Sequence, residues 1–138
     1  MFMAAPTAIT RRVLVVCRDV DVARVIEEAT QPWMFETEVR SSLRESRDLV
    51  EKRDFALIFC EECCEDGTYQ DLLSTGRSRK VPVVVMISDA DQDFVFREAM
   101  ALGAFGVVAR PCSRKDVQWM VIRATQKEFP SRTSHMMR

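Results

Sequence analysis

The sequence has a single histidine, His135, in a polar stretch near the C-terminus, and it carries no catalytic argument. No base–nucleophile pair is visible, so the chain reads as a non-enzyme. None of the four glycines belongs to a glycine-rich loop that could cradle phosphate. No apolar run approaches the roughly 20 residues that a membrane span needs. Residues 1–10 hold no apolar core long enough for a signal peptide. A basic surplus is missing too, with 20 Lys and Arg against 21 Asp and Glu and a net charge of −1. That balance argues against a general nucleic-acid binder. The expected compartment is the cytoplasm, with neither membrane nor nucleic acid as partner, and there the five cysteines are reduced thiols.

What is present suits one soluble domain. A chain of 138 residues that is 47% hydrophobic and 30% charged can bury one sizeable core and is not disordered. The expected layout is an N-terminal extension over 1–11, a domain over 12–128 and a polar tail over 129–138.

The stretch 54–73 organises the rest. Residues 55–60 form an unbroken apolar run bounded by charge, the signature of a strand buried on both faces. Glu61 and Glu62 follow, then an acidic loop with Asp66-Gly67, then Leu72 and Leu73 opening a helix. Other strands are expected over 13–17, 35–39, 81–87 and 105–109, with Phe35, Thr37 and Val39 on one side of the second. Pro82 stands at a strand start, where a missing N–H is tolerated. Between the strands lie helical patterns. Asp19 can cap one carrying Val22, Val25, Ile26 and Ala29, which Pro32 stops. Ser41 and Ser42 can cap a polar one running to Arg53, with Leu43, Leu49 and Val50 as its stripe. A basic loop is expected over 76–80 and a turn over 88–91. A helix over 93–102 ends at Gly103. Ser113 caps the last helix, whose inner face is Val117, Met120, Val121 and Ala124, with Phe129-Pro130 as its end. Phe94, Phe96 and Met100 read as packing residues, whereas Trp119 and Ile122 lie off the inner face. Alternation of this kind predicts an α/β fold, a flavodoxin-like three-layer sandwich with a five-stranded parallel sheet and helices on both faces. Open sheets of this type place their sites at the carboxyl ends of the strands, where Glu61 falls.

These residues resemble the response-regulator receiver domain of bacterial two-component systems, the CheY-like family. The likeness covers about residues 12 to 127. It rests on Val13-Leu14-Val15-Val16, on Asp66-Gly67 with Leu72-Leu73, on Val81-Pro82-Val83, and on Gly103-Ala104 leading through a strand to Arg110-Pro111. The resemblance implies an aspartyl phosphoacceptor at the end of strand three and an acidic pair after strand one that holds Mg²⁺. It also implies a hydroxyl after strand four and a lysine after strand five. Here the acidic-pair positions are Cys17 and Arg18, with Asp19 a partial substitute. The hydroxyl falls on Ser88 and the lysine on Arg110, whose bond to Pro111 is expected cis. The acceptor position is Glu61 when the helix leucines set the register, and Phe59 when Gly67 does. Glu61 is the preferred assignment. The family's aromatic switch position holds Val107.

Mg²⁺ takes hard oxygen ligands in octahedral geometry. Cys17 and Arg18 remove two of them and add a positive charge that could instead pair with Glu61. The resemblance therefore points to a pseudo-receiver: a stand-alone signalling protein without Mg²⁺ or another cofactor, acting through protein contacts. A Glu61 held by Arg18 or Arg110 would imitate the phosphorylated state. Its partner is a histidine kinase or a downstream signalling protein, and a homodimer would use helices 93–102 and 113–127 with strand five. Two alternatives stand beside this reading. One is a phosphorylatable receiver with a divergent site. The other is a thiol-based redox or metal sensor, because Cys17, Cys60, Cys63, Cys64 and Cys112 all fall at the same sheet edge and are expected around one crevice. Cys60 and Cys63 have C-x-x-C spacing, and Arg18 and Arg110 could lower thiol pKa values.

Overall fold

The computed structural model describes residues 11–88 and 92–126. Its elements, in order, are β1 (Arg12–Val16), α1 (Val20–Thr30), β2 (Glu36–Arg40), α2 (Leu43–Lys52), β3 (Leu57–Glu61), β4 (Cys63–Cys64), β5 (Gly67–Thr68), α3 (Tyr69–Arg79), β6 (Val83–Ile87), α4 (Gln92–Ala101), β7 (Gly106–Ala109) and α5 (Arg114–Thr125). Five strands form one parallel sheet in the order β2-β1-β3-β6-β7. This is the flavodoxin-like architecture expected from the sequence. Most of the 1–11 extension, the 89–91 part of the expected turn, and the Phe129-Pro130 helix end with its tail lie outside the described residues.

The sheet's centre follows from its apolar runs. Every residue of β3 and β6 is buried, as is β1 beyond Arg12. Only strands covered on both faces need such continuous hydrophobicity. One face packs Val13, Val15, Leu57 and Phe59 against α1 and α5, whose Val22, Ile26, Val117 and Val121 are buried with them. The other packs Leu14, Ile58, Val83 and Val85 against α2, α3 and α4 through Leu43, Val50, Leu72, Leu73, Val95 and Ala99. Gln118 Nε2 donates to the Ala29 carbonyl at 3.1 Å, and Arg114 pairs with Glu28 at 3.2 Å, tying α5 to α1.

Helix starts obey local chemistry. Asp19 accepts from the Asp21 and Val22 amides at the start of α1. Ser42 accepts from the Glu45 amide in α2. Ser113 and Asp116 form a reciprocal capping box on α5. Each such cap is worth about 1 kcal/mol. The Arg110–Pro111 peptide is cis, as expected.

Two local expectations are corrected, and two details are added. Residues 76–79 are not a loop, because α3 continues to Arg79 and Lys80 closes it in a left-handed conformation. Gly76 is there for packing: a Cβ would stand 2.7 Å from Val83 Cγ2, so glycine lets α3 approach β6. The acidic loop after β3 folds into a small antiparallel hairpin, with Cys63 opposite Thr68 and Cys64 opposite Gly67. Val39 is exposed on edge strand β2. Its neighbour Glu38 pairs with Arg40 at 3.2 Å and with Arg53, blunting that edge with charge. Finally, Phe94, Phe96 and Met100 are exposed, because α4 turns only a narrow face of Val95 and Ala99 to the sheet. Trp119 is half exposed, off the inner face of α5 as expected. No helix among the described residues is long and apolar enough to cross a membrane.

Candidate functional site

Parallel strands bring their carboxyl ends to a single crest. The chain leaves β1 towards β2 on one side while β3 lies on the other, which makes the β1/β3 boundary the topological switch point. The last residue of β3 is Glu61, in register with Met86 of β6. Only 5% of it is exposed, and it is the sole buried acid among the described residues. A buried carboxylate needs donors. Glu61 Oε1 accepts from the backbone N–H of Arg18 at 2.7 Å. This corrects the expectation of a guanidinium partner, since neither Arg18 nor Arg110 forms an ion pair among the described residues. The backbone wins because the β1–α1 turn presents its amide directly to the strand end, while the Arg18 residue itself is exposed.

The other site positions sort clearly. Phe59 is fully buried, on the face of β3 that packs against α1 and α5. Cys17 is buried, with its sulfur 3.3 Å from the Asp19 amide nitrogen, from which it accepts, and 3.4 Å from the Asp19 carbonyl oxygen. Burial pushes its thiol up to about 11, although Arg110 opposes the shift. Asp19 is exposed and engaged as the α1 cap. Ser88 is half-buried, and its N–H donates to Glu62 Oε1 at 3.4 Å. Arg110 is half-buried beyond β7, with its N–H on the Ile87 carbonyl at 2.7 Å and its Nε buried without a partner among the described residues.

The five thiols do not share one crevice. Cys17 and Cys112 belong to the core under α1 and α5. Cys60 belongs to the core on the other face, and Cys64 packs against that core. Cys63 is exposed. Alternation along β3 is the reason: Phe59 and Cys60 are successive and point to opposite faces. The C-x-x-C spacing also misleads, because Cys63 is exposed while Cys64 packs against the core that holds Cys60.

Two acids with no role from sequence build the crest. Glu62 donates its N–H to the Met86 carbonyl at 3.0 Å and accepts the Tyr69 N–H on its own carbonyl at 3.3 Å. Asp66 accepts from the Leu43 amide at 2.8 Å, the Arg44 amide at 3.0 Å and the Ser42 hydroxyl at 3.2 Å. The bonds from Leu43 and Arg44 hold its carboxyl below the ordinary range. Asp66 thus staples the hairpin to the positive end of α2. Its partners lie 22 to 24 residues upstream, so no local spacing could reveal them. Tyr69, buried at the start of α3, donates its hydroxyl to Glu98 of α4.

The residues at the crest do not fit Mg²⁺. The acidic-pair positions offer a buried thiol and a cation, and Asp19 is engaged at its helix end. Among the described residues no three of His, Cys, Asp and Glu cluster in a way that could hold a metal ion.

No family model matches the sequence, and no curated protein matches it. Solved structures do match. The beryllofluoride-activated NtrC4 receiver domain dimer aligns with a TM-score of 0.77 at 18% identity, over 86% of this chain and 98% of that one. A CheY-like receiver domain protein from Methanospirillum hungatei aligns at 0.75 and 16% identity, over 87% and 97%. The chemotaxis response regulator CheY4 of Vibrio cholerae aligns at 0.73 and 18%, over 84% and 99%. The fold of this chain is that of the CheY-like response-regulator receiver domain.

Proposed function

We propose that the chain is a response-regulator-like signalling module of a two-component pathway that works through protein contacts, without Mg²⁺-dependent phosphoryl transfer and without enzymatic activity. The observation that carries this reading is the buried Glu61 carboxylate, held by the Arg18 backbone N–H at the switch point where the resemblance calls for a phosphorylated, metal-bound carboxylate. Phosphoryl transfer to a carboxylate needs cations that spread the charge on the moving group. Cys17 removes a ligand, and the Arg18 N–H already caps the Glu61 carboxylate. In this reading the fixed charge of Glu61 holds the β1–α1 turn in one arrangement, as a permanent counterpart of the modified state.

Output then passes through a partner surface. The exposed Phe94, Phe96 and Met100 of α4 and Trp119 of α5 flank edge strand β7 and support a protein contact there. The partner is a histidine kinase, a downstream signalling protein or a second copy of the chain. Aromatic anchors of this size commonly dominate such interfaces. One similar structure was solved as a receiver domain dimer.

The test is the intact mass of the protein incubated with Mg²⁺ and a small phosphodonor. An unchanged mass is expected. A Mg²⁺-dependent gain of one phosphoryl group overturns the reading in favour of a divergent but phosphorylatable receiver. Glu61→Gln keeps the acceptor for the Arg18 N–H and removes the charge. Weaker partner capture is expected from it, and unchanged capture would reduce Glu61 to a structural acid.

A further inference from the structure

The hairpin after β3 does more than carry acids. Cys60, next to last in β3, is fully buried, with its Sγ 3.3 Å from the Glu61 carbonyl oxygen. The β4–β5 register then turns the chain back so that Cys63 faces solvent while Cys64 lies half-buried against the core that holds Cys60. Cys64 lies close enough to Cys60 there for each thiol to shift the acidity of the other. Cys64 is therefore the more accessible residue of the two, and Cys60 the enclosed one.

We propose that Cys60 and Cys64 are a redox site, which a hydroperoxide oxidises to an intramolecular disulfide with Cys64 as the attacking sulfur. The order of events follows from position. The Cys64 sulfur attacks one peroxide oxygen, so an S–O bond forms, the O–O bond breaks, and the other oxygen leaves as an alcohol or water with the Cys64 proton. The Cys60 sulfur then attacks the Cys64 sulfur. The S–S bond forms, the S–O bond breaks, and hydroxide leaves as water with the Cys60 proton. Two thiols lose two electrons and the peroxide gains them.

The surroundings favour this division of roles. The interaction with Cys60 draws the Cys64 thiol below its ordinary value, with help from Arg18 and against burial and the charges of Glu61 and Asp66. The same interaction, with burial, holds Cys60 well above its own. The thiolate is the nucleophile, so the accessible member is also the more reactive one. Cys17 and Cys112 lack such a partner and are raised, chiefly by burial. Such a link would close the base of the hairpin directly beside Glu61 and bond strand to loop at the crest.

The experiment uses the full chain, fully reduced, then treated with hydrogen peroxide at about equimolar amount and read by intact mass and fragmentation. Loss of two hydrogens, mapped to a Cys60–Cys64 link and reversed by a dithiol reductant, is expected. The link should persist in Cys63→Ser and vanish in Cys64→Ser, which changes only a half-buried side chain and leaves the fold in place. A link through Cys63, a link between two chains, oxygen addition without loss of hydrogens, or no reaction would each overturn the proposal. Brief alkylation of the reduced protein at neutral pH adds a second reading. Cys64 should label several-fold faster than the more exposed Cys63, and the reverse order would overturn its role as the attacking sulfur.

Discussion

The two faces of the sheet treat the same chemistry in opposite ways. Under α1 and α5, Cys17 and Cys112 lie in an apolar core, and burial holds both thiols protonated. On the α2–α4 face, Cys60 lies close to Cys64 and the pair divides into one thiol raised and one lowered. All of these cysteines sit near the carboxyl ends of strands, so the difference comes from neighbours and not from depth in the sequence. A thiol surrounded by hydrocarbon is inert filler. One that shares a half-open hairpin with a second thiol has its acidity drawn the other way.

The sharpest break in this comparison is on the filler side. Phe59 lies in the same cluster as Cys17 and is fully buried. Phe59→Ala should lower the unfolding free energy by about 3–5 kcal/mol through lost burial and a cavity. A urea titration monitored by circular dichroism would measure it. A loss below about 1 kcal/mol would mean that this face is loosely packed, and the contrast between faces would fail. Next in size is Cys60→Ser, which buries a more polar group in the core with the Glu61 carbonyl as its acceptor. It should cost about 1–3 kcal/mol, whereas Cys64→Ser, half-buried, should cost under about 0.5 kcal/mol. Equal costs would deny the division between a buried and an accessible partner.

Alkali sharpens the comparison further. Cys17 is pushed from 9.0 to about 11, mainly by burial. Burial first, then the Glu98 hydrogen bond, pushes Tyr69 from 10.0 to about 12. Both groups stay neutral in the fold while the unfolded chain ionises. Their contribution to stability is therefore complete below the unfolded value and is lost as pH rises through the folded one. The window runs from about pH 9 to 11 for Cys17 and from about 10 to 12 for Tyr69. Urea midpoints at about pH 8 and about pH 10.5 should fall on the alkaline side, and Cys17→Ala should flatten the first part of that fall. A midpoint independent of pH across this window would show that neither group is shielded.

How far the sequence foretold these faces depends on the range of the interactions involved. Runs such as 13–17, 55–60 and 81–87 declare buried strands because a strand covered on both sides has no room for polar residues. The Asp19, Ser42 and Ser113 caps were equally legible, since a cap acts within three residues of itself. The α3 boundary was not. Gly76 looks like a loop residue until the close approach of Val83 is known. At the site, the placement of Glu61 at the strand end could be read, but its donor could not. A guanidinium is visible in the sequence, whereas the Arg18 backbone amide becomes a partner only when the β1–α1 turn is built. The grouping of the cysteines failed for a related reason. Counting to the strand end put them at one edge, and the two-residue period of β3 then divided them between faces.

The smallest expected effect tests whether the reactive face depends on its hairpin. Asp66 holds that hairpin to α2 through the Leu43 and Arg44 amides and the Ser42 hydroxyl. It also adds negative charge near Cys64, which raises that thiol. Asp66→Asn retains an oxygen acceptor and removes the charge, whereas Asp66→Ala removes both. If position governs Cys64, Asp66→Ala should loosen the hairpin, lower the melting temperature slightly and erase the labelling preference of Cys64 over Cys63. Asp66→Asn should then keep that preference or strengthen it. Alkylation rates of the two thiols, measured side by side in both variants, separate the outcomes. A preference that survives Asp66→Ala unchanged would mean that β3 and the Cys60 contact alone hold Cys64 in place, and that the staple to α2 serves the helix and not the thiol.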